Sequence, residues 1–396
     1  MSLKDKVLQL SKEKHQEVIG IRNWLHQHPE LAFEEEGTAD YIAKYLDSQN
    51  ISYTKGVAKT GILGVIEGRN PQKRVVALRA DMDALEIVEQ NLVPYKSMNK
   101  GVMHACGHDV HMASLMGTLS ILNELKDEFE GSIKFIFQPS EEKYPGGASV
   151  MIKEGVLENP KPDAILGQHV FPELESGKVG FKVGKYMAST DEVYLEVIGK
   201  GGHGGIPHHV VDTVLIASHI VVALQQMVSR KANPSIPTVL SFGKFIANGQ
   251  TNVIPSVVKL EGTMRTFDEE WRKQMHVEIE KMAKGMAQSM GGDCKTTIAH
   301  GYPFVDNDEA VTLRAKNAAI ELLGEDRVVD LEMRMTAEDF SFYSQIIPGC
   351  FYRLGTANAE KGIVSNLHTA TFDADTESFQ VGMAVMAWLA ITELDV

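Results

Sequence analysis

The 396-residue chain is 43% hydrophobic and 23% charged, enough apolar material for more than one core, so two domains are expected rather than one. With 39 basic and 53 acidic residues the formal net charge is -14, which disfavours polyanionic partners and argues against nucleic acid as a ligand. Met1 to Gln16 lacks the apolar core of a secretory signal, no run reaches the roughly 18 uninterrupted apolar residues of a membrane span, and three scattered cysteines suit a reducing compartment; the expectation is a cytoplasmic protein with no membrane partner.

Along the chain, helical spacing of Val7, Leu10, Val18, Ile21 and Leu25 predicts a helix over Lys4 to Trp24, and a second runs from about Thr38 to Leu46. Arg74 to Leu78 reads as a buried strand that ends on Asp81 and Asp83. A helix is expected from Asp109 to Leu125, then a strand at Ser132 to Phe137 closing on Gln138-Pro139-Ser140-Glu141-Glu142. Another strand, Ala164 to Leu166, closes on Gly167-Gln168-His169. Strands that alternate with helices predict an α/β layered domain. After about Gly184 the texture changes: strand Asp191 to Ile198, helix Val211 to Arg230, strands Thr238 to Phe245 and Val257 to Phe267, helix Asp268 to Ser289, strand Lys295 to Ala299. That β-α-β-β-α-β order fits a small open-faced sheet with two helices on one side. From about Gly301 the chain returns to the first domain, with helices near Asp308 to Leu323 and Gln380 to Thr392 and a strand at Cys350 to Leu354. The expected division is 1–186 plus 300–396 for the first domain and 187–299 for the second.

The chemistry concentrates in Met103-His104-Ala105-Cys106-Gly107-His108-Asp109-Val110-His111, where a thiol, three imidazoles and a carboxylate precede a helix. Cys106 and His108, two residues apart at a helix entry, suit a borderline-soft divalent ion such as Zn²⁺ or Mn²⁺. Glu141-Glu142, His169 and His368 share their address, on loops at strand ends or helix starts of one α/β domain, where ligands bind. Adjacent carboxylates in an extended segment point apart, so one can bind metal while the other serves as general base. With one glutamate counted, the set has five donors, more than the three protein ligands of a single catalytic zinc, which favours two metals with Cys106 as a bridge. Singly, a lone cysteine or histidine is more often a packed or surface residue; it is their coincidence at one end of one sheet that tips the balance. His26, His28, His104, His111, His208, His209 and His219 are read as structural.

Nine stretches, in order over nearly the whole length, carry a family resemblance: Leu25-His26-Gln27-His28-Pro29-Glu30-Leu31, Leu78-Arg79-Ala80-Asp81-Met82-Asp83-Ala84-Leu85, His104 to Asp109, Gln138 to Glu142, Gly201-Gly202-His203-Gly204-Gly205, Thr251-Asn252-Val253-Ile254-Pro255, Gly262 to Phe267, Glu338-Asp339-Phe340-Ser341 and Leu367-His368-Thr369. The chain resembles the aminoacylase/carboxypeptidase family of dinuclear metal amidohydrolases, in the branch of hippurate hydrolases and auxin-conjugate amidohydrolases. The resemblance implies a mixed-sheet α/β catalytic domain of the zinc-exopeptidase type, interrupted by a ferredoxin-like α+β lid that also forms a homodimer. It implies two divalent ions per subunit, Mn²⁺ or Zn²⁺ with Co²⁺ and Ni²⁺ as alternatives, held by Cys106, His108, Glu142, His169 and His368, with Glu141 as the base. It further implies that His203 stabilises the oxyanion and that Asn252 and Arg265 contact the substrate, an N-acyl amino acid. Many related exopeptidases carry His-x-Asp where this chain has Asp81-Met82-Asp83; Cys106 and His108 stand in for the missing histidine, and Asp83 is a candidate orienter of a ligand.

The function expected is therefore metal-dependent hydrolysis of the amide bond of N-acyl amino acids. The alternatives are a dipeptidase or carboxypeptidase-type metal exopeptidase, a metal-loaded protein that binds such conjugates without cleaving them, and a thiol hydrolase using Cys106 with a histidine base.

Overall fold

Strands Val75–Asp81 and Ser132–Gln138 are buried at every position, so the sheet they share is covered on both faces. In the computed structural model, which describes residues 1–396, this sheet has eight strands in the order Tyr53–Val57, Gly61–Glu67, Ser132–Gln138, Val75–Asp81, Ala164–Glu175, Gly349–Ala357, Val179–Phe181 and Val328–Asp330. The third to sixth of these run parallel, while Tyr53–Val57 and Gly61–Glu67 form an antiparallel hairpin at one edge. The four parallel strands therefore present their carboxyl ends on one side, where loops distant in sequence converge.

Helices Leu3–Gln27, His108–Glu124 and Glu377–Leu394 pack on one another, and the last two also pack on this sheet. His108–Glu124 is buried from His108 through Leu122 and is a core helix rather than an amphipathic surface one. Leu3–Gln27 opens with a capping box between Ser2 and Asp5. Near its end Arg22 is fully buried, with Nε 2.9 Å from Asp109 Oδ2 and Nη2 2.8 Å from Asp373 Oδ1. Removing one partner of such a buried pair strands a charge and costs about 3–5 kcal/mol.

One strand differs from the sequence expectation. Ala164–Glu175 does not end at Leu166, so His169 lies inside a strand, opposite Arg353 in register, and not on the loop after it. Gly167 is no terminator there. A Cβ on it would come within 2.8 Å of the Phe340 and Phe351 rings, so its missing side chain serves close packing.

The chain divides into two units, Met1–Tyr186 with Asp306–Met333 and Asp339–Val396, and Met187–Val305 with Arg334–Glu338. The second unit thus extends past the expected boundary at 299 and takes in a later segment. Local hydrogen bonds account for this: the Ala188 N–H donates to Arg334 O and Thr336 O, and the Gly301 N–H donates to Asp191 Oδ1. Its sheet is antiparallel, in the order Thr238–Ile246, Val257–Thr266, Asp191–Ile198, Asp293–His300. With helices Thr213–Leu224 and Glu269–Ser289 this is the split βαβ arrangement. Asp191–Ile198 alternates buried and exposed positions, its Val193, Leu195 and Val197 meeting Ile216, Ile220 and Ile279 of the two helices.

Helix Thr213–Leu224 is shorter than expected; Asp212 caps it by accepting from Val214 N and Leu215 N, and it passes into a π turn, Met227–Lys231. Together Thr213–Lys231 is long and apolar enough to cross a membrane by length and composition alone. Ile216, Ala217, Ile220 and Leu224 nevertheless pack into the core of the unit, while Leu215 and Val222 stay exposed.

A single buried carboxylate ties this unit together. Asp191 receives Arg272 Nη2 at 2.5 Å and Nε at 2.8 Å, with His276 Nε2 at 2.7 Å. Burial by itself raises the Asp191 pKa, but the hydrogen bonds from Arg272 and His276 outweigh it and hold the carboxyl below its ordinary value. A carboxyl lowered in the folded state contributes stability above the unfolded pKa of about 3.9, and that contribution is lost as pH falls through the folded value. Asp191→Asn should therefore destabilise by about 3–5 kcal/mol at neutral pH. In chemical denaturation followed by circular dichroism, the gap from wild type should shrink below about pH 4; a gap that stays constant with pH would show that Asp191 is not the linked group.

Candidate metal centre

Gly107 lets Cys106 and His108 both face inward. It takes φ +81°, and a Cβ on it would meet Val170 Cγ2 at 2.5 Å, so both backbone conformation and space call for glycine. Helix His108–Glu124 starts immediately afterwards, with the positive end of its dipole beside the thiol. His368, on the loop after strand Gly349–Ala357, is brought to the same place by its main chain: its N–H donates to Ala105 O at 2.9 Å, and it too has a left-handed backbone, φ +60°.

These placements gather the donors. Cys106 Sγ lies 3.6 Å from His169 Nε2 and 3.4 Å from His368 Nε2, and His368 Nε2 lies 3.1 Å from Glu142 Oε1. Donor atoms of Cys106, His108 and His169 fall within 4.8 Å of one another, as do those of Cys106, Glu142 and His368, and of His108, Glu141 and Glu142. Cys106 is therefore common to two donor groups. Five sequence-predicted ligands and Glu141 are brought together in the first unit. The centre grades outward from buried Cys106, His108 and His169 through half-buried Glu142 to exposed His368.

Divalent ions fit this arrangement on three counts. A sulfur at about 2.3 Å and a nitrogen at about 2.05 Å from one tetrahedral ion stand about 3.6 Å apart, the Cys106–His169 spacing. His169 donates Nδ1–H to Val170 O at 2.8 Å, which leaves the Nε2 lone pair facing the sulfur. Buried His108 Nε2 has no hydrogen-bond partner, and Glu142 Oε1 meets only His368 Nε2, itself one of the donors, so polar atoms are buried here with little outside the centre to satisfy them.

The charge balance points the same way. Burial opposes a charge on His108, yet Asp81, Asp83 and Glu142 around it push the imidazole up to about 10. Burial, reinforced by Glu142 and Glu141, pushes the Cys106 thiol well above its ordinary value, so a thiolate requires a strong cation beside it. A different trio, Asp81, His108 and His111, is also close enough to suggest a site. It is not one, because His111 has no lone pair to offer: its Nε2 accepts the Val170 N–H at 2.9 Å and its Nδ1 donates to Asp81 Oδ1 at 2.5 Å.

Around the donors runs a polar layer whose roles were not legible in the sequence. Buried Arg79 donates from Nη1 to Asp81 Oδ2 at 2.6 Å, from Nη2 to Asp339 Oδ1 at 2.8 Å and from Nε to Gln138 Oε1 at 2.9 Å. Gln138 Nε2 also donates to both Asp339 oxygens, and the Asp339 N–H reaches Glu141 Oε1 at 3.4 Å. His111, read as structural from sequence, belongs to this layer. Asp83 accepts from the amides of Glu141 and Glu142 and lies 3.3 Å from His108 Nδ1, so it touches both the glutamate pair and a donor histidine. Arg79, Gln138 and Asp339 sit in stretches that carry the family resemblance, the one signal that could have singled them out.

The second unit holds the remaining candidates. His203 pairs with Val253 across a short two-stranded ladder, and the Gly204 N–H donates to Asn252 O at 2.8 Å, so His203 and Asn252 are neighbours. The Gly205 N–H donates to His203 Nδ1 at 2.9 Å, which puts the proton of the neutral ring on Nε2. Arg265, on strand Val257–Thr266, donates to Thr263 Oγ1 and to Met264 O.

Comparison with known proteins gives the family. The family model described as Peptidase family M20/M25/M40 matches residues 77–392. The chain is 41% identical over 307 residues to an N-acyl-L-amino acid amidohydrolase of Geobacillus stearothermophilus, across 77% of this chain and 82% of the relative. It is 37% identical over 382 residues to an N-acetylcysteine deacetylase of Bacillus subtilis, across 96% and 98% respectively. A crystal structure of a dinuclear metal binding peptidase of the M20 family from Bacillus subtilis superposes with a TM-score of 0.84 at 35% identity, covering 97% of this chain and 99% of that one. The family match spans well over half of the residues, and the chain belongs to peptidase family M20/M25/M40.

Proposed function

We propose that this protein is a metal-dependent amidohydrolase that cleaves N-acyl amino acids into a carboxylic acid and a free amino acid. The observation that carries it is the membership of Cys106 in two donor groups at once, Cys106–His108–His169 and Cys106–Glu142–His368, beside a carboxylate, Glu141, that neither group includes. Two divalent ions, Mn²⁺ or Zn²⁺, would be held there by Cys106, His108, Glu142, His169 and His368. When bound they lower the pKa of water toward neutrality and polarise a carbonyl oxygen.

The remaining work falls to the chain. Glu141 takes a proton from the attacking water and returns it to the leaving amine nitrogen, with the Asp339 N–H steadying its Oε1. His203, whose tautomer presents Nε2–H, donates to the oxygen that becomes negative in the tetrahedral intermediate. Arg265 pairs with the free carboxylate of the amino acid and Asn252 contacts the substrate beside it. A thiol mechanism is disfavoured because burial and two carboxylates keep Cys106 protonated unless a cation is present. Homodimerisation through the second unit is supported by the exposed Leu215 and Val222, seven positions apart on one face of their helix.

If Cys106 serves both ions, Cys106→Ala should lower the affinity for both, whereas His368→Ala should weaken one, by more than the roughly 10–100-fold that loss of a ligand's supporting partner costs, and spare the other. Titration of apoprotein with Co²⁺, read by its d–d absorption and by calorimetry, distinguishes the two patterns. Equal loss in both variants would remove the bridging role. Chelation should abolish hydrolysis, and Mn²⁺, Zn²⁺ or Co²⁺ should restore it on a panel of N-acyl amino acids; turnover that survives chelation but not alkylation of Cys106 would favour the thiol enzyme.

Glu141→Ala should reduce kcat by about 10²–10⁴-fold while metal content, measured by plasma emission, stays at wild-type stoichiometry. Loss of metal in that variant would mean that the two glutamates have the opposite roles.

A further inference from the structure

Glu141 and Glu142 need to point in different directions from adjacent backbone positions, and the turn that carries them is held in an unusual way. Three consecutive amides, those of Ser140, Glu141 and Glu142, all donate to buried carboxylates from distant segments. Glu141 N and Glu142 N reach Asp83 Oδ1 and Oδ2 at 2.8 and 3.0 Å. Ser140 N reaches Glu35 Oε1 at 2.9 Å, across 105 positions of sequence. Ser140 has φ +53°, a left-handed conformation that a side chain disfavours and that persists only where surrounding contacts over-determine it.

Glu35 is built for this contact. It is wholly buried at the start of helix Glu36–Ser48, its Oε1 also accepting the Phe33 N–H at 3.0 Å and its Oε2 accepting the Thr60 hydroxyl at 2.6 Å. All of its partners are neutral donors; no cation pairs with it. In sequence it is the middle member of Glu34-Glu35-Glu36, a run that reads as solvated surface. A carboxylate that is buried at that cost, and whose bonds go to backbone amides, suits the fixing of a chain path.

We propose that Glu35 is a positioning residue for hydrolysis: it holds Ser140 left-handed, and through that kink it aims Glu141 at the water and Glu142 at the metal centre. The proposal rests on the reading of Glu141 as base and Glu142 as ligand. It separates Glu35 from Asp83, which fixes the two glutamate amides directly, whereas Glu35 sets the direction in which the chain enters them.

The test uses full-length protein with three substitutions. Glu35→Ala should lower kcat on an N-acyl amino acid on the order of 10²-fold, as a displaced catalytic group does, with KM little changed. In Co²⁺ titration of the apoprotein it should weaken the ion that depends on Glu142 by roughly 10-fold and leave the other as in wild type. Glu35→Gln should restore most of both, because its Oε1 can accept the Ser140 and Phe33 amides while Nε2 donates to Thr60. Adding Ser140→Gly to Glu35→Ala should recover part of kcat, since glycine adopts φ +53° without the Cβ penalty. If Glu35→Ala does not fold, Glu35→Asp, one methylene shorter, is expected to show the same split. Wild-type kcat and ion affinities in Glu35→Ala, or equal impairment in Glu35→Ala and Glu35→Gln, would overturn the proposal. If Glu141→Ala retains turnover, the base assignment falls instead, and the Co²⁺ titration still decides the role of Glu35.

Discussion

The convergence on the Cys106 sulfur is the constraint that the rest of the first unit serves. His169 Nε2 and His368 Nε2 approach it from positions 63 and 262 residues away. Neither approach is local, so each requires a scaffold: His169 is carried by a central parallel strand, His368 by a loop pinned to Ala105 O, and Cys106 by a glycine turn into a buried helix. Donors that close, with no hydrogen bonds among several of them, would be costly to bury without ions to satisfy them.

Around the donors, carboxylates do two kinds of work that a sequence does not distinguish. Glu142 offers an oxygen to the centre, while Asp83 and Glu35 spend theirs on backbone amides, and Asp339 shares its own between Arg79, Gln138 and Ala148 N. The amide-bound ones are buried and immobile. Positional accuracy at Glu141 therefore derives from a layer that never touches the substrate, which is the usual condition for a reactive group held to within a fraction of an ångström.

Sequence made the broad plan readable where pattern and chemistry coincide. The apolar runs Val75–Asp81 and Ser132–Gln138 gave away their strands, and the order of elements from Asp191 to His300 gave away the split βαβ sheet. The Cys-x-His pair and the two glutamates stood out because such residues crowd at a helix start and a strand end. Short or half-exposed strands, Val179–Phe181, Val328–Asp330 and the hairpin Tyr53–Val57 with Gly61–Glu67, carry too little periodicity to be read. Glu35, Arg79, His111 and Asp339 escaped for another reason. A charged or polar residue reads as surface until its partners are known, and each of these has a deciding partner between 30 and 260 positions away. Gly167 resembles a strand terminator in sequence, whereas its bare Cα is there to admit two phenylalanine rings, and the strand carries on through His169.

The same geometry explains why a thiol occupies the centre. The element Asp81-Met82-Asp83 has an acid where a histidine ligand was expected, and Asp81 cannot take over that duty, since one oxygen is held by Arg79 and the other by His111. Asp81 has instead become an anchor. Through His111 it reaches the Val170 amide, one residue from His169, and through Arg79 it reaches Asp339 and so the amide beside Glu141. Beside that scaffold, His108 and Cys106 lie among the donors, and Cys106 is common to both groups, at the positive end of a helix and within reach of three histidines. A thiolate brings one negative charge, large and polarisable, into a pocket already crowded with carboxylates, and it is stable there only with cations bound. Asp81 and Cys106 thus divide the region between them, the carboxylate bracing the scaffold and the sulfur standing where two donor groups meet.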